Sequence, residues 1–181
     1  MSKPLILALD VATRTGWALG RVGETPRSGS CRFGHSSSDE NVIFGAALNW
    51  ASLFLQEQGP PQILMIEALL PPDAMRGRTS KAVRDRLAGL HGVIRGVAWL
   101  RHVEQIMDCT VGDVRAHFIG DRGLKRARAK GETMLQCRRL GWDAKDDNQG
   151  DALAIWSYAG ALIDPQTALK TVPLFNRALI L

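Results

Sequence analysis

Short apolar runs separated by turn residues open the chain. Residues 5–9 form a continuous apolar run that ends at Asp10, a pattern typical of a strand buried on both faces. Turn residues follow at 13–16, and short segments at 17–19 and 30–33 predict two further strands. Because the intervening turns are rich in glycine, the three strands are expected to form an antiparallel meander.

A helix and a second buried strand come next. Apolar residues recur at near-helical spacing from 41 to 56, and the helix is expected to stop before Gly59-Pro60-Pro61. The run 63–66 then repeats the pattern of the first strand and ends in Glu67. Two buried strands that each end in a carboxylate are the first indication of function.

The second half of the chain is predicted to be mostly helical. Thr79 or Ser80 can cap a long helix that runs to about Arg101, and residues 105–111 predict a last strand. Three more helices are expected at 113–118, 125–139 and 148–162. Residues 164–181 form an apolar tail that needs a partner surface.

Composition narrows the class of protein. The chain has 181 residues, of which 45% are hydrophobic and 23% charged, values typical of one soluble globular domain. Its three cysteines are too widely spaced for a zinc or redox motif, which favours a reducing compartment. No segment resembles a signal peptide or a membrane span. A cytoplasmic protein without membrane contact is therefore expected.

The net charge of +5 is unevenly distributed along the chain. Residues 76–145 contain 16 Lys and Arg against 7 Asp and Glu, so the remainder is net acidic. This distribution is expected of a nucleic-acid-binding protein with a carboxylate metal site. A solvated helical face would explain the basic segment equally well.

Several carboxylates are placed on rigid elements. Asp10 and Glu67 end buried strands, and Asp151 lies inside the apolar final helix. Burying isolated carboxylates is costly, so acids that converge imply a cation, and an all-oxygen donor set suits Mg²⁺ or Mn²⁺. Asp147 shares the helix face of Asp151 if the helix already includes it. Such a group would hold two metal ions for in-line attack on a phosphodiester.

Each of these acids also has a purely structural explanation. Asp10 could begin a turn, and Glu67 could pair with Arg76. At least one of the polar residues at 146–148 is expected to cap the final helix. The four histidines show no metal-ligand spacing and offer no rival site.

The order of elements and acids resembles the ribonuclease-H-like nucleases, and specifically the RuvC-type Holliday-junction resolvases. The resemblance is carried by residues 6–10 (ILALD), 15–18 (TGWA), 66–67 (IE) and 147–154 (DNQGDALA). It implies an α/β fold in which helices flank a mixed sheet of about five strands, the first three antiparallel. This nuclease domain is expected to span residues 1–163.

The resemblance also implies an activity. By position, Asp10, Glu67 and Asp151 would be metal-binding catalytic acids that hold two Mg²⁺ ions, with Mn²⁺ able to substitute and no small-molecule cofactor. The enzyme would be a homodimer that resolves four-way DNA junctions and leaves 5′-phosphate and 3′-hydroxyl ends. The long helix from Thr79 to Arg101 is the expected dimer interface.

The sequence departs from the family pattern in two places. In the familiar resolvases the fourth ligand lies three residues before the last Asp, where this chain has Asn148. Asp147 is the preferred fourth ligand here, because a carboxylate neutralises Mg²⁺ better than an amide. In addition, Val-Ala-Thr follows Asp10 in place of Pro-Gly-Ser, which suggests a divergent branch such as a phage or prophage version.

The basic residues gain a role in binding DNA phosphates, which gives affinity without sequence readout. The candidates lie on the loop after Glu67 or near the basic helix: Arg76, Arg78, Lys125, Arg126, Arg128 and Lys130. Lys130 is also the candidate for a lysine near the cleaved phosphate, by its place in the resembling helix. Leu69 and Leu70 suggest a wedge for the junction centre, although such leucines more often belong to a core.

Three other functions fit parts of the pattern. An RNA-processing nuclease would use the same superfold and the same acids. An actin-like or sugar-kinase-like ATPase also carries an Asp on its first strand, but the chain is short for two duplicated domains and lacks a second phosphate loop. A DNA-binding protein without catalysis would keep the basic segment alone.

Overall fold

A five-stranded mixed sheet forms the centre of the computed structural model, which describes residues 3–35, 37–70 and 80–166. The strands are β1 (Leu5–Asp10), β2 (Arg14–Arg21), β3 (Arg27–Arg32), β4 (Ile63–Glu67) and β5 (Gln105–Cys109). Their order across the sheet is β3-β2-β1-β4-β5, with the first three antiparallel and both β4 and β5 parallel to β1. The expected mixed α/β sheet is confirmed.

Helices cover both faces of the sheet. They are α1 (Glu40–Gln58), α2 (Lys81–Leu100), α3 (Val111–Ile119), α4 (Arg126–Arg139) and α5 (Asp147–Ile163). In β1, Ile6 and Ala8 pack in the core beneath α3 to α5, whereas Leu7 and Leu9 pack in the core beneath α1 and α2. The continuous apolar run of β1 therefore reflects burial on both faces, as predicted.

Three strands have boundaries that differ from those predicted, and threonine hydroxyls explain the differences in β2 and β5. β2 begins at Arg14, not at residue 17, because the Thr15 hydroxyl donates to the Ala12 carbonyl (2.7 Å) and closes a tighter turn. β5 ends at Cys109 because the Thr110 hydroxyl accepts from the Asp113 N–H (3.1 Å) and caps α3. β3 likewise begins earlier, at residue 27.

The boundaries of α2 and α5 bear on the functional residues. Ser80 caps α2, its hydroxyl accepting from the Val83 N–H (3.3 Å), while the alternative cap Thr79 and the loop 71–78 lie outside the described residues. Helix α5 begins one residue earlier than predicted, at Asp147. Of the tail at 164–181, only the first three residues are described.

Two further observations concern the cysteines and the lengths of the helices. Cys31, Cys109 and Cys137 are all free thiols. No helix in the described ranges is long and apolar enough to cross a membrane. Neither observation concerns the edge of the sheet where β1 and β4 end, which carries the strand-end carboxylates.

Helix α4 ends in a Schellman motif that requires a left-handed residue. Gly141 has a φ of 72° and donates its N–H to the Arg138 carbonyl (3.0 Å), and the Trp142 N–H reaches the Cys137 carbonyl (2.9 Å). The same pattern closes α2, where His102 takes the left-handed position with a φ of 60°. At Gly141, glycine adopts this conformation without the penalty of a Cβ atom.

Replacing Gly141 by Ala tests this assignment. A Cβ atom at Gly141 would meet nothing within 4 Å, so the cost is purely conformational and we expect a loss of about 1 kcal/mol in the free energy of unfolding. Gly131, in the middle of α4, also has open space around its Cβ position. Gly131→Ala should therefore stabilise the protein by about 0.5–1 kcal/mol in the same denaturant titration. Equal effects of the two substitutions would contradict the assignment.

Candidate active site

Asp10 and Glu67 meet at one edge of the sheet. β1 and β4 are adjacent and parallel, with Leu9 paired to Ile66, so the carboxylates that end the two strands are neighbours. Adjacent strands lie about 4.8 Å apart. Both residues are half-buried at this edge, so neither is fully shielded from solvent.

Helix α5 reaches this edge because residue 16 is glycine. Gly16 stands opposite Asp10 in the β1–β2 ladder, and α5 packs on both strands. A Cβ atom at Gly16 would lie 1.9 Å from the backbone carbonyl oxygen of Asn148, a distance that no side chain tolerates. The first turn of α5 therefore lies directly on the hairpin beside Asp10.

Asp146 fastens the start of α5 to the sheet. One of its carboxylate oxygens accepts from the Gln149 N–H (2.9 Å) and so caps the helix. The other accepts from the Arg14 guanidinium (2.7 Å) on β2 and from the Ser30 hydroxyl (2.8 Å) on β3. The expectation that at least one of residues 146–148 is a cap is confirmed for Asp146. Both of its carboxylate oxygens accept hydrogen bonds that hold the helix start in place.

Asp10, Glu67 and Asp151 are close enough for the charge of Asp151 to act on Asp10 and for both aspartates to act on Glu67. Burial, with a further contribution from the charge of Asp151, raises the pKa of Asp10 to about 7. Burial raises the pKa of Glu67 to about 8, with contributions from the charges of both aspartates. The pKa of Asp151 is raised mainly by burial. Three carboxylates at one sheet edge thus resist ionisation together.

Asp147 belongs to the same surface but is paired differently. Since α5 includes Asp147, this residue shares a helix face with Asp151, as predicted. The Lys130 ammonium on α4 donates to the Asp147 carboxylate, and this hydrogen bond lowers the pKa of Asp147. Asn148, the other candidate for a fourth ligand, has a side-chain amide that no described residue hydrogen-bonds.

The donor set suits a hard divalent cation. Across the described ranges, no three Asp, Glu, His or Cys side chains surround a common point in the positions they occupy. Asp10, Glu67 and Asp151 nevertheless present oxygen donors at one edge, where burial raises their pKa values and neighbouring carboxylates raise them further despite the cations nearby. Oxygen donors and unbalanced negative charge are what Mg²⁺ or Mn²⁺ requires, so the residues fit such an ion.

Cations line the α4 side of the carboxylates. Lys125, Arg126 and Arg128 are exposed at the start of α4, which has no acidic residue in its first turn and no side-chain cap. The N-terminus of a helix carries partial positive charge, so three cations there are unfavourable for the helix. A bound anion would relieve this repulsion. The charge of Arg126 lowers the pKa of both Asp10 and Glu67, which shows that this basic cluster borders the acids.

Arg115 is a further cation beside the acids, and it is not among the site residues predicted from the sequence. It lies on α3, donates to the Leu124 carbonyl (3.3 Å), and lowers the pKa of both Glu67 and Asp151 through its charge. Nothing in the local sequence distinguishes this arginine from a surface residue. Its position, one turn into the helix that directly follows β5, is the one feature that could have identified it as a site residue.

The remaining predicted DNA-contacting residues lie in or beside the loop after β4. Arg76 and Arg78 are outside the described residues. Leu69 is half-buried and Leu70 is 49% exposed, and neither belongs to either hydrophobic core. The structure thus does not place these leucines in the core, and their use as a wedge stays a prediction.

Solved structures similar to this chain are Holliday-junction resolvases, although the sequence identities are low. Thermus thermophilus RuvC is 14% identical with a TM-score of 0.65, covering 87% of this chain and 95% of RuvC. The same protein in complex with a Holliday-junction substrate gives 13% identity and a TM-score of 0.67, covering 88% and 94%. The yeast mitochondrial resolvase Ydc2 is 12% identical with a TM-score of 0.56, covering 99% and 87%. The chain therefore has a RuvC-like fold. No protein-family model and no curated protein sequence matches it.

The contact between Gly16 and α5 makes a direct prediction. Gly16→Ala would force the Asn148 carbonyl away from β2, so we expect a loss of about 3 kcal/mol in the free energy of unfolding. Gly160→Ala, near the other end of α5, adds a methyl group with nothing within 4 Å and should be neutral or stabilising. Denaturant unfolding of the two variants measures both effects. Wild-type stability in Gly16→Ala would show that α5 does not lie on the hairpin in this way.

Proposed function

We propose that the chain is a Mg²⁺-dependent, structure-selective endonuclease that resolves four-way DNA junctions in the cytoplasm. The observation that carries this proposal is the convergence of Asp10, Glu67 and Asp151 at the strand ends of a RuvC-like sheet, beside a basic helix. The catalytic domain spans residues 1–163 and uses no small-molecule cofactor.

Four carboxylates would hold two Mg²⁺ ions, with Mn²⁺ able to substitute. Asp10, Glu67 and Asp151 supply the half-buried oxygens, and Asp147 is the proposed fourth ligand because it adds a negative charge that Asn148 lacks. When bound, such a metal pair activates a water for in-line attack on the phosphodiester and stabilises the leaving oxygen. Hydrolysis would leave 5′-phosphate and 3′-hydroxyl ends.

Protons on the strand-end carboxylates are part of this proposal. With pKa values of about 7 and 8, Asp10 and Glu67 carry protons for part of the time at neutral pH in the cation-free protein. Both carboxyl groups must lose these protons to become ligands, so activity should increase with pH through this range. Arg115 and Arg126 assist, because their charges favour the ionised carboxylates.

The basic residues around α4 would bind phosphates next to the cleaved bond. Lys125, Arg126 and Arg128 are exposed at the start of α4. Arg76 and Arg78, which lie outside the described residues, are the further candidates from the sequence. Lys130 has a second role in this proposal, since an incoming phosphate competes with Asp147 for its ammonium group. These contacts would give affinity that falls steeply with salt concentration.

A homodimer would provide the two cuts that a junction needs. A four-way junction has two-fold symmetry, so two related active sites are the simplest way to make paired nicks. Helix α2 is the proposed interface, because its exposed side chains include Val83 (44%), Trp99 (74%) and Leu100 (67%). Apolar side chains this exposed on one helix favour a protein contact.

Cleavage of a labelled four-way junction tests the proposal. In Mg²⁺ the wild-type protein should cut the junction into two nicked duplexes, and Asp10→Asn or Glu67→Gln should reduce the rate by at least about a thousandfold while junction binding is retained. Asp143→Asn is the matched control, since this aspartate is exposed and pairs only with Lys145 at the surface. Full activity in Asp10→Asn would overturn the site assignment.

Parallel substrates separate the alternative functions. A flap, a linear duplex and a structured RNA of equal length should be cut at least tenfold more slowly than the junction if the proposal is correct. Preferred cleavage of the RNA would instead identify an RNA-processing nuclease with the same acids. ATP hydrolysis without any nuclease activity would identify an ATPase, and binding of DNA without cleavage would identify a non-catalytic protein.

A further inference from the structure

Two arginines face each other across β2 and β3 at the carboxylate edge of the sheet. Arg14 and Arg32 are directly paired in the antiparallel ladder, and Gly16, two residues after Arg14, is paired with Asp10. Paired residues project their side chains from the same face of a sheet. Since Arg14 reaches Asp146 at the start of α5, both arginines project from the face that carries α5.

The charge of Arg32 is not balanced within the described structure. Like charges that are directly opposite on antiparallel strands destabilise the pair. Asp146 offsets the charge of Arg14 through its ion pair (2.7 Å). Arg32 is exposed, and its guanidinium makes no hydrogen bond or ion pair with any residue that the structure describes. The repulsion between Arg32 and Arg14 is therefore not offset by any contact that the Arg32 side chain makes within these ranges.

The arginine pair lies on the opposite side of the acids from the basic helix. Across the sheet the order is β3, β2, β1, β4, so Arg32 and Arg14 come first, followed by Asp10 and then Glu67. Arg126 on α4 borders the same acids, and α4 packs mainly on α5 and α3. Three strand spacings separate β3 from β4, about 14 Å, a span of several nucleotides.

We propose that Arg14 and Arg32 form a second phosphate-binding site, which holds the nucleic-acid backbone on the β3 side of the carboxylates. This inference rests on the proposed nuclease function, and it adds a contact region on the side of the acids away from the basic helix. Arg32 is the main anchor because its guanidinium has no other partner among the described residues. Arg14, 46% exposed, keeps free N–H donors beyond those directed at Asp146 and Ser30.

A backbone bound at both sites would cross the acids. The basic cluster of α4 would hold the strand on one side of the reactive phosphate and the arginine pair would hold it on the other. Two flanking contacts fix the direction of the strand, which one contact cannot do. A lone inorganic anion would gain nothing from this separation, so the chemistry favours a polyanionic strand as the ligand.

Binding measurements on Arg32→Ala test the inference. We would titrate a fluorescent four-way junction with the full chain in EDTA, at several salt concentrations, and compare wild type with Arg32→Ala, Arg32→Lys and Arg27→Ala. Arg27 is the matched control because it is an exposed arginine at the other end of β3, bonded to Gln58 (2.6 Å). Thermal unfolding of each variant shows that the sheet is intact.

The expected result separates Arg32 from Arg27. Arg32→Ala should weaken binding by roughly three- to tenfold and reduce the slope of log affinity against log salt by about one, since one phosphate contact is lost. Arg32→Lys should restore most of the slope, and Arg27→Ala should match wild type. If Arg32→Ala and Arg27→Ala both bind as wild type does, the second site is wrong and the nuclease proposal stands. If wild type fails to bind the junction, both proposals fail.

Discussion

The close approach of α5 to the β1–β2 hairpin is the contact on which the candidate site depends. Gly16 allows the Asn148 carbonyl to lie against β2, and Asp146 fastens the helix start to Arg14 and Ser30. Without this contact the acids of α5 would not reach the strand ends of β1 and β4. The lack of a side chain at Gly16 and the cap formed by Asp146 thus allow α5 to pack on the β1–β2 hairpin, which is more than a hundred residues away in sequence.

This convergence creates an electrostatic problem that a bound cation would solve. Burial raises the pKa values of Asp10, Glu67 and Asp151, the charge of Asp151 adds to the rise at Asp10, and both aspartates add to the rise at Glu67. The cations of α3 and α4 reduce the repulsion only in part, since the pKa values stay high despite Arg115 and Arg126. Carboxyl groups whose pKa values are shifted by burial and by neighbouring charges are typical of functional sites, and the proposed metal-dependent hydrolysis would use them in ionised form.

The sequence predicted most of the fold and the location of the acids, and the reasons are physical. A continuous apolar run ending in one carboxylate identifies β1 with Asp10 and β4 with Glu67, because central parallel strands are buried on both faces. The polar β3 carries no such signal. Which of two consecutive aspartates caps α5 depends on Arg14 and Ser30, whose proximity only the strand pairing reveals. The pairing of Arg32 was hidden for the same reason.

The central claim is that the strand-end carboxylates form one cation site. Calorimetric titration of Mg²⁺ into the metal-free protein at pH 7, in two buffers of different ionisation enthalpy, tests it most directly. We predict binding with net proton release, because Asp10 and Glu67 have pKa values of about 7 and 8 before the ion binds. Binding should be lost in Asp10→Asn. Absence of binding, binding without proton release, or unchanged binding in Asp10→Asn would contradict the account.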